Sequence, residues 1–385
     1  MKRQQEEKKL KKFKKNKEKT SKNKSQDPQD QDSVKEIRYH YPWYLKIILL
    51  ITLPIWIFPT FIANLVLGKK IYEYLQYFPK SGPVENPNYS NVEWNTLAFY
   101  NCDIEVKKGA QELLISDKDW ADMKGEDLKI ISFDDTNLAA FLFVNKKPTT
   151  KWIIVLHGWM QNRYSILYFV KPFYQAGFNV LVYDARNHGS SDASATTFGK
   201  NESKDLLAVI KYLKAKYKEN TLEFALIGNS MGASTILQGL VALPLKDYGV
   251  KSAIFDCGYD DFTHMIKILG QTNLKVKWFW FYFGIKFWFR YYDRFNINDV
   301  KPITQINNCG ETPMLFIHGT KDQTVPITMT KRIYKAKVDS ENAMQKQNVS
   351  QLLIVEGAGH IQSITTNYRL YITTSLDFFN KWFSK

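Results

Sequence analysis

A serine flanked by glycines is the clearest chemical signal in the sequence. Gly228, Ser230 and Gly232 form a Gly-x-Ser-x-Gly pattern between an apolar run and a run with helical periodicity. A nucleophile at a sharp strand-to-helix turn adopts strained backbone angles, so its close neighbours must be small. Its hydroxyl projects near a helix N-terminus, where backbone N–H groups favour negative charge. We predict that Ser230 is a nucleophile; the structural alternative is a tight turn with a capping serine.

A serine nucleophile needs a base, and histidine is the side chain best suited to that task. The chain has six histidines. His360 follows the last apolar run, in a loop from which a side chain can swing over the sheet edge. His157 and His318 have no obvious path to the proton of Ser230, and His264 falls in a predicted lid. We therefore expect His360 to be the base.

The base in turn needs an acid to orient it. Asp322 lies in the loop that follows an apolar run ending in Phe-Ile-His-Gly, before the histidine loop. The chain order of serine, aspartate and histidine is the one expected of a strand–turn–helix serine hydrolase. Asp256, Asp260 and Asp261, at the end of an earlier run, are alternative acids whose structural role would be capping or turn formation.

An acyl-transfer site also needs donors that face the developing oxyanion. We expect one to be the backbone N–H of Met231, directly after the nucleophile. The second would be the backbone N–H of Trp159, because Gly158 lets that loop approach closely. The sequence contains no metal-ligand cluster and no phosphate-binding glycine loop, so we expect neither a metal nor a cofactor.

Apolar runs alternate with helical patterns over the C-terminal two thirds of the chain. Strands are predicted at 128–133, 138–144, 152–156, 179–183, 222–227, 252–255, 314–317 and 352–355. Helices are predicted at 201–217, 230–241, 327–335 and 365–382. This alternation predicts an α/β fold with a doubly wound, mostly parallel sheet and antiparallel strands at its N-terminal edge. The segment at about 258–301 is predicted to be a lid insertion, as the resemblance described below implies, and it holds a run of aromatic side chains at 278–292. Those aromatics would form an apolar acyl pocket, rest on a bilayer interface or pack against the core.

The N-terminal part divides by composition. Residues 1–42 hold 14 Lys/Arg against 7 Asp/Glu and are predicted to be a disordered basic tail. Residues 43–68 are predicted to be a transmembrane signal anchor, because 47–67 carry no charge and as a helix would span a bilayer core. Residues 69–126 are predicted to be a linker and lead-in segment, and 127–385 the catalytic domain. The basic tail favours a cytoplasmic N-terminus and an extracellular catalytic domain in a single-pass protein of the cell membrane.

Composition excludes some classes of function. The net charge is +15, but the tail supplies much of it and the body carries no nucleic-acid module, which argues against nucleic acid as a partner. Three cysteines at wide spacing indicate neither a disulfide scaffold nor a metal site. The sequence does not determine the oligomeric state.

With these motifs in hand, the chain resembles the α/β-hydrolase superfamily. It is most similar to bacterial single-span membrane hydrolases of the serine aminopeptidase-like or prolyl-oligopeptidase-like group. The matching segments are residues 157–158, 183–191, 228–232, 318–322 and 357–360. The resemblance implies cofactor-free hydrolysis of an ester, thioester or peptide bond. It also implies a scaffold role for Asp184, Arg186 and His188.

The resulting expectation is a membrane-anchored serine hydrolase. It would cleave esters or thioesters of apolar acyl groups through Ser230, His360 and Asp322 and an acyl-enzyme. A small-molecule or lipid-like acyl compound and the bilayer would be its partners. A serine peptidase with the same triad, and an idle hydrolase scaffold that binds a lipid or protein, are the alternatives.

Overall fold

The computed structural model describes residues 42–78, 111–218, 221–272, 275–309, 311–346 and 349–383; for 45–46, 48–56 and 111 it describes the backbone alone. The predicted basic tail and most of the predicted linker therefore lie outside the described residues. The strands are β1 (Glu126–Ile131), β2 (Asn137–Phe143), β3 (Lys151–Leu156), β4 (Asn179–Tyr183), β5 (Glu223–Asn229), β6 (Val250–Asp256), β7 (Met314–Gly319) and β8 (Gln351–Val355). The helices are α1 (Trp43–Gln76), α2 (Asp117–Met123), α3 (Val170–Gln175), α4 (Lys200–Tyr217), α5 (Met231–Ala242), α6 (Phe262–Thr272), α7 (Tyr282–Asp293), α8 (Ile327–Ala343), α9 (Ser363–Thr366) and α10 (Tyr368–Trp382).

The described strands form one sheet in the order β1-β2-β4-β3-β5-β6-β7-β8. β2 runs antiparallel to both β1 and β4, and every other neighbouring pair is parallel. The predicted α/β class, with a mostly parallel sheet and antiparallel strands at the N-terminal edge, is confirmed. Because β3 to β8 run parallel, the loops that follow them meet at one edge of the sheet, where ligand sites form in such folds.

Both faces of the sheet are covered, as the continuous apolar runs require. Ile153 and Val155 of β3 belong to one buried cluster, whereas Trp152 and Ile154 belong to another. Successive side chains of a strand point to opposite faces, so a fully apolar strand must bury both. The two clusters hold the carboxyl ends of the central strands rigid, and the candidate site lies on those ends.

The predicted lid region contains two helices. α6 and α7 lie between β6 and β7, joined by a stretch that includes a 3₁₀ turn at Trp278–Trp280. A third buried cluster packs them onto the sheet edge through Phe262, Phe281 and Phe289. Part of the aromatic run is therefore core of this region, while other members are exposed.

α1 continues to Gln76, past residue 68, where we predicted that a linker begins. No helix in the described part of the chain is both long and apolar enough to cross a membrane. Because the side chains of 48–56, at the centre of the predicted anchor, are outside the described residues, the anchor stays a prediction. From Phe58 onward α1 belongs to the same compact unit as the strands and helices that follow it.

α1 packs closely on α7 within that unit. A Cβ on Gly68 or on Gly284 would overlap backbone atoms of the other helix, so the two helices touch at paired glycines. Asn64 Oδ1 accepts a hydrogen bond from the Gly284 N–H at 2.6 Å, and its Nδ2 donates to the Phe279 carbonyl at 2.5 Å. The Trp288 indole donates to the Leu65 carbonyl at 2.8 Å. These contacts fix α7 against α1.

Candidate active site

Ser230 occupies the turn between β5 and α5. Its φ of 51° and ψ of −115° are strained for a residue with a side chain. A Cβ on Gly228 would overlap the backbone of Gly232, and one on Gly232 would overlap the Leu156 carbonyl of β3. The two predicted glycines therefore permit the sharp turn, and the turn presents the serine hydroxyl above the sheet.

The structure brings together the three side chains that the sequence singled out. His360 Nε2 lies 3.0 Å from Ser230 Oγ, and His360 Nδ1 lies 2.7 Å from Asp322 Oδ2. The histidine follows β8 and the aspartate follows β7. This is the geometry of a nucleophile, a base and an orienting acid in series.

Asp322 is held as an ionised group. Burial by itself would raise its pKa, but hydrogen bonds from His318 and His360 and from the Val325 N–H hold the pKa well below its ordinary range. The backbone N–H groups of Thr324 and Val325 donate to Oδ1 at 2.8 and 2.9 Å. The carboxylate therefore keeps its charge at neutral pH and faces the imidazole with fixed geometry.

His318 is a partner of Asp322 that the sequence analysis missed. Its Nε2 lies 3.3 Å from Asp322 Oδ2 and 3.0 Å from the Val325 carbonyl, and its Nδ1 lies 2.7 Å from Thr330 Oγ1. A ring whose Nδ1 accepts the threonine hydroxyl carries its proton on Nε2, facing the acid. The sequence did hold a signal for this contact: His318 comes directly before the Gly-Thr-Lys-Asp turn, so its imidazole and the Asp322 carboxylate must lie close together.

The three alternative acids have other partners. Asp260 accepts two hydrogen bonds from the Arg332 guanidinium at 2.6 and 2.7 Å, and Asp261 pairs with Lys301 at 3.0 Å. Asp256 is buried, and Ser363 Oγ donates to it at 3.3 Å. Burial raises the pKa of Asp256 to about 6. Of the predicted acids, Asp322 is the one in contact with His360.

The loop after β3 lies beside the nucleophile. A Cβ on Gly158 would sit 3.3 Å from Ser230 Cβ, so this backbone approaches the serine closely. The Met231 N–H belongs to the first residue of α5, where helix geometry leaves amides without an intrahelical acceptor. The indole of Trp159 donates to the Leu75 carbonyl of α1 at 3.3 Å. The predicted pair of oxyanion donors, Trp159 N–H and Met231 N–H, remains a proposal.

The scaffold residues implied by the resemblance are buried. Arg186 binds Asp205 through two nitrogens, at 2.7 and 2.6 Å, and Asp134 at 2.9 Å. Asp184 accepts the Arg163 N–H at 2.6 Å. His188 Nδ1 lies 2.8 Å from the Arg186 carbonyl. These contacts tie the loop after β4 to its neighbours, as a scaffold role requires.

A thiol lies close behind the triad. One ligand atom each of Cys257, Asp322 and His360 lie within 4.8 Å of one another, the arrangement that a metal ion could use. Burial raises the pKa of the Cys257 thiol well above its ordinary value. A thiol that stays protonated is a poor ligand, and the other two groups are already bonded to each other. The cluster fits a hydrolytic triad better than a metal centre.

An apolar cavity of about 710 Å³ opens onto Ser230 and His360. Its walls come from several parts of the chain, among them Ile71 of α1, Trp159 after β3, Leu269 of α6 and Ile361 beside the histidine. α1 supplies one wall, a contribution that sequence reasoning missed because the segment was interpreted as anchor and linker. The volume lies in the range of ordinary small-molecule sites, and the lining favours an apolar ligand.

Known proteins share this architecture. A solved esterase of Pyrococcus furiosus, Pf2001, superposes with a TM-score of 0.54 at 19% identity over 80% of this chain and all of that chain. An acylaminoacyl peptidase of Pyrococcus horikoshii superposes with a TM-score of 0.51 at 14% identity, over 66% of this chain and 41% of that one. At these identities the likeness concerns the fold alone.

Sequence relatives point the same way. The uncharacterized protein YqkD of Bacillus subtilis (strain 168) is 30% identical over 230 residues, which is 60% of this chain and 71% of that protein. Human protein ABHD12B is 25% identical over 238 residues, 60% of this chain and 61% of its own length. The sequence profile described as the alpha/beta hydrolase fold matches residues 151–287. The chain therefore belongs to the α/β-hydrolase superfamily.

Proposed function

We propose that the protein is a serine hydrolase that cleaves esters or thioesters of apolar acyl groups through an acyl-enzyme. The observation that carries the proposal is the apolar cavity of about 710 Å³ that opens directly onto the Ser230 hydroxyl and His360. Ser230 would attack the carbonyl carbon while His360 Nε2 takes its proton. Asp322 would hold the imidazole by its Nδ1.

The second half of the reaction follows from the same groups. His360 would return the proton to the leaving oxygen or sulfur, and the acyl group would stay bonded to Ser230. A water molecule activated by His360 would then release the acid and restore the serine. The backbone N–H groups of Met231 and Trp159 would stabilise the oxyanion in both halves.

The test is a series of p-nitrophenyl esters with acyl chains of increasing length. Each methylene buried in the cavity is worth about 0.8 kcal/mol, or about fourfold, so kcat/KM should rise with chain length until the cavity is full. Ser230→Ala should abolish turnover of every ester. Ile71→Trp, which fills the α1 side of the cavity, should reduce kcat/KM for long chains and spare short ones.

Val66→Trp is the matched control, because it puts the same ring on an exposed position of α1. A length profile that is flat in the wild type, or that changes equally in both tryptophan variants, would contradict the acyl pocket. Faster hydrolysis of an amide than of an ester with the same acyl group would replace the esterase by a peptidase. Ester turnover that persists in Ser230→Ala would contradict a mechanism in which this serine is the nucleophile.

We also propose, from the sequence, that residues 47–67 anchor the hydrolase in the cell membrane with the N-terminus in the cytoplasm. The support is the uncharged run of 21 residues between aromatic and basic flanks. Labelling of Ser230 in intact cells by a membrane-impermeant fluorophosphonate would place the site outside. Labelling only after lysis would show that the catalytic domain lies in the cytoplasm, the opposite of the proposed orientation.

A further inference from the structure

Two helices that pack on each other, α1 and α7, expose apolar stripes. On α7, Phe283, Phe287 and Tyr291 follow one another at four-residue intervals and are 53%, 41% and 57% exposed. The opposite side of α7 is fully buried at Ile285 and Phe289. A surface helix of a soluble domain normally turns a polar side to water. α7 instead presents aromatic rings on the side that faces away from the core.

α1 carries a matching stripe. Its buried side, at Asn64 and Gly68, faces α7, whereas Phe61, Ile62 and Val66 are 44% to 50% exposed. The rings of Phe61 and Phe283 lie 5.5 Å apart, so the two exposed stripes meet. We name the six residues Phe61, Ile62, Val66, Phe283, Phe287 and Tyr291 the aromatic face.

Basic residues border the aromatic face. Residues 275–294 hold five Lys/Arg and one acid. That acid, Asp293, accepts a hydrogen bond from the Tyr72 hydroxyl at 3.0 Å, and burial raises its pKa to about 6. Lys277, at the start of the aromatic run, and Arg290, beside Tyr291 on α7, are both exposed. The surface thus combines exposed aromatic rings with a clear excess of positive charge.

Anionic lipid is the partner that this combination fits. Tryptophan and tyrosine rings favour the interfacial layer of a bilayer, and Lys/Arg beside them are attracted to anionic headgroups. We propose that the aromatic face docks on an anionic lipid bilayer, with its α1 residues at the end of the proposed anchor, where the chain leaves the bilayer. Trp278 and Trp280, which are 38% and 36% exposed, would then insert at the headgroup level. The proposal builds on the proposed function: α1 lines the cavity and packs on α7, so docking would present the cavity opening to acyl groups in the bilayer.

The experiment measures tryptophan quenching by brominated phospholipids in vesicles that contain the full chain. Vesicles of phosphatidylcholine are compared with vesicles that contain about 30% phosphatidylglycerol. The part of the quenching that disappears in Trp278→Phe/Trp280→Phe reports the two lid tryptophans alone. This difference is needed because the predicted anchor would hold every variant on the vesicles.

We call the quenching that disappears in Trp278→Phe/Trp280→Phe the lid component. It should be strong in the anionic vesicles, weak in the neutral ones and reduced by 0.5 M NaCl. Lys277→Glu/Arg290→Glu should weaken it at least about 30-fold in the titration against the phosphatidylglycerol fraction, because each of the two basic residues near an anionic surface contributes about 1 kcal/mol. Lys118→Glu/Lys129→Glu changes two exposed lysines on α2 and β1 and should leave it unchanged. Hydrolysis of a soluble short-chain ester should be equal in all these variants.

Three results would overturn the proposal. The lid component could be absent in both vesicle types, or the two charge-reversal pairs could alter it equally. Shielding of Trp278 and Trp280 without vesicles, in step with a concentration-dependent dimer seen by sedimentation, would assign the aromatic face to a second copy of the chain. None of these readouts depends on turnover, so they separate failure of the docking proposal from failure of the proposed hydrolysis.

Discussion

Two buried aspartates lie near the imidazole of His360: Asp256 at the end of β6 and Asp322 in the loop after the neighbouring strand β7. Their pKa values are shifted in opposite directions. Asp256, the last residue of β6, has its pKa raised to about 6 because burial is opposed by few hydrogen bonds. Asp322, after β7, is also buried, yet its pKa is held well below the ordinary value by His318, His360 and backbone amides. Burial is common to both carboxylates, so the hydrogen-bond donors decide which one stays charged.

The comparison supports the proposed catalytic role of Asp322 and a structural role for Asp256. An acid that orients a histidine must stay ionised while the imidazole gains and loses a proton. Asp322 meets this requirement and contacts Nδ1 of His360 at 2.7 Å. Asp256, whose pKa is about 6, becomes protonated at mildly acidic pH. Its backbone carbonyl accepts a hydrogen bond from the Ser230 N–H at 2.9 Å. The backbone of Asp256 therefore holds the turn of the proposed nucleophile, while the carboxylate of Asp322 contacts the proposed base.

The largest effect on stability that sharpens this comparison comes from replacing Asp256. An unfolded aspartate titrates near 3.9, whereas the pKa of Asp256 in the fold is about 6. Folding therefore favours the protonated form, and stability is lost as pH rises through about 6. Asp256→Asn should increase the free energy of unfolding at pH 8 by up to about 3 kcal/mol, as two pKa units imply. At pH 4, where the wild-type carboxyl is protonated in the fold, the gain should nearly vanish.

Urea unfolding at the two pH values checks this expectation. Asp322→Asn is the opposed control, since its folded pKa is depressed and the ionised form contributes stability above the unfolded pKa. That variant should lose stability at pH 8. A loss for Asp256→Asn at pH 8 would show that its carboxylate is paired better than the geometry indicates, and the contrast between the two acids would fail.

A smaller effect is expected from His318. His318→Gln removes the imidazole beside Asp322, and one hydrogen bond to a charged group is worth about 1.5 kcal/mol, so kcat/KM should fall about tenfold. Thr330→Val is the matched control, because it removes the bond to the far side of the same ring and leaves the contact with the acid. Steady-state kinetics on a short ester compare the two. Equal losses in both variants would mean that His318 acts through packing alone.

Much of the site could be predicted because its chemistry is local in sequence. Short motifs were enough to single out Ser230, Asp322 and His360: glycines flank the serine, and the other two residues lie in loops that directly follow apolar runs. The sheet could be predicted since fully buried parallel strands must be continuous apolar runs. Strand β5 nevertheless extends through Asn229, because polar residues can end a strand when the fold buries them.

The remaining features depend on contacts between distant segments. Nothing local indicates that Ile71 of α1 lines the cavity, since an apolar helix before a domain resembles a membrane anchor. The alternative acids could not be ranked from spacing, as Asp260 is occupied by Arg332, a residue 72 positions later. The contact of His318 with Asp322 does not follow from a path to the serine, because this imidazole faces the acid instead.

The most direct test of the account is the steady-state rate of ester hydrolysis by Asp322→Asn and Asp256→Asn, each compared with the wild type at pH 8. If Asp322 is the acid that orients His360, its amide should lower kcat by about 10³–10⁴-fold. Asp256→Asn, similar in size and burial, should remain within about threefold of the wild type. Equal losses in the two variants, or a larger loss for Asp256→Asn, would contradict the assignment of Asp322 to the triad.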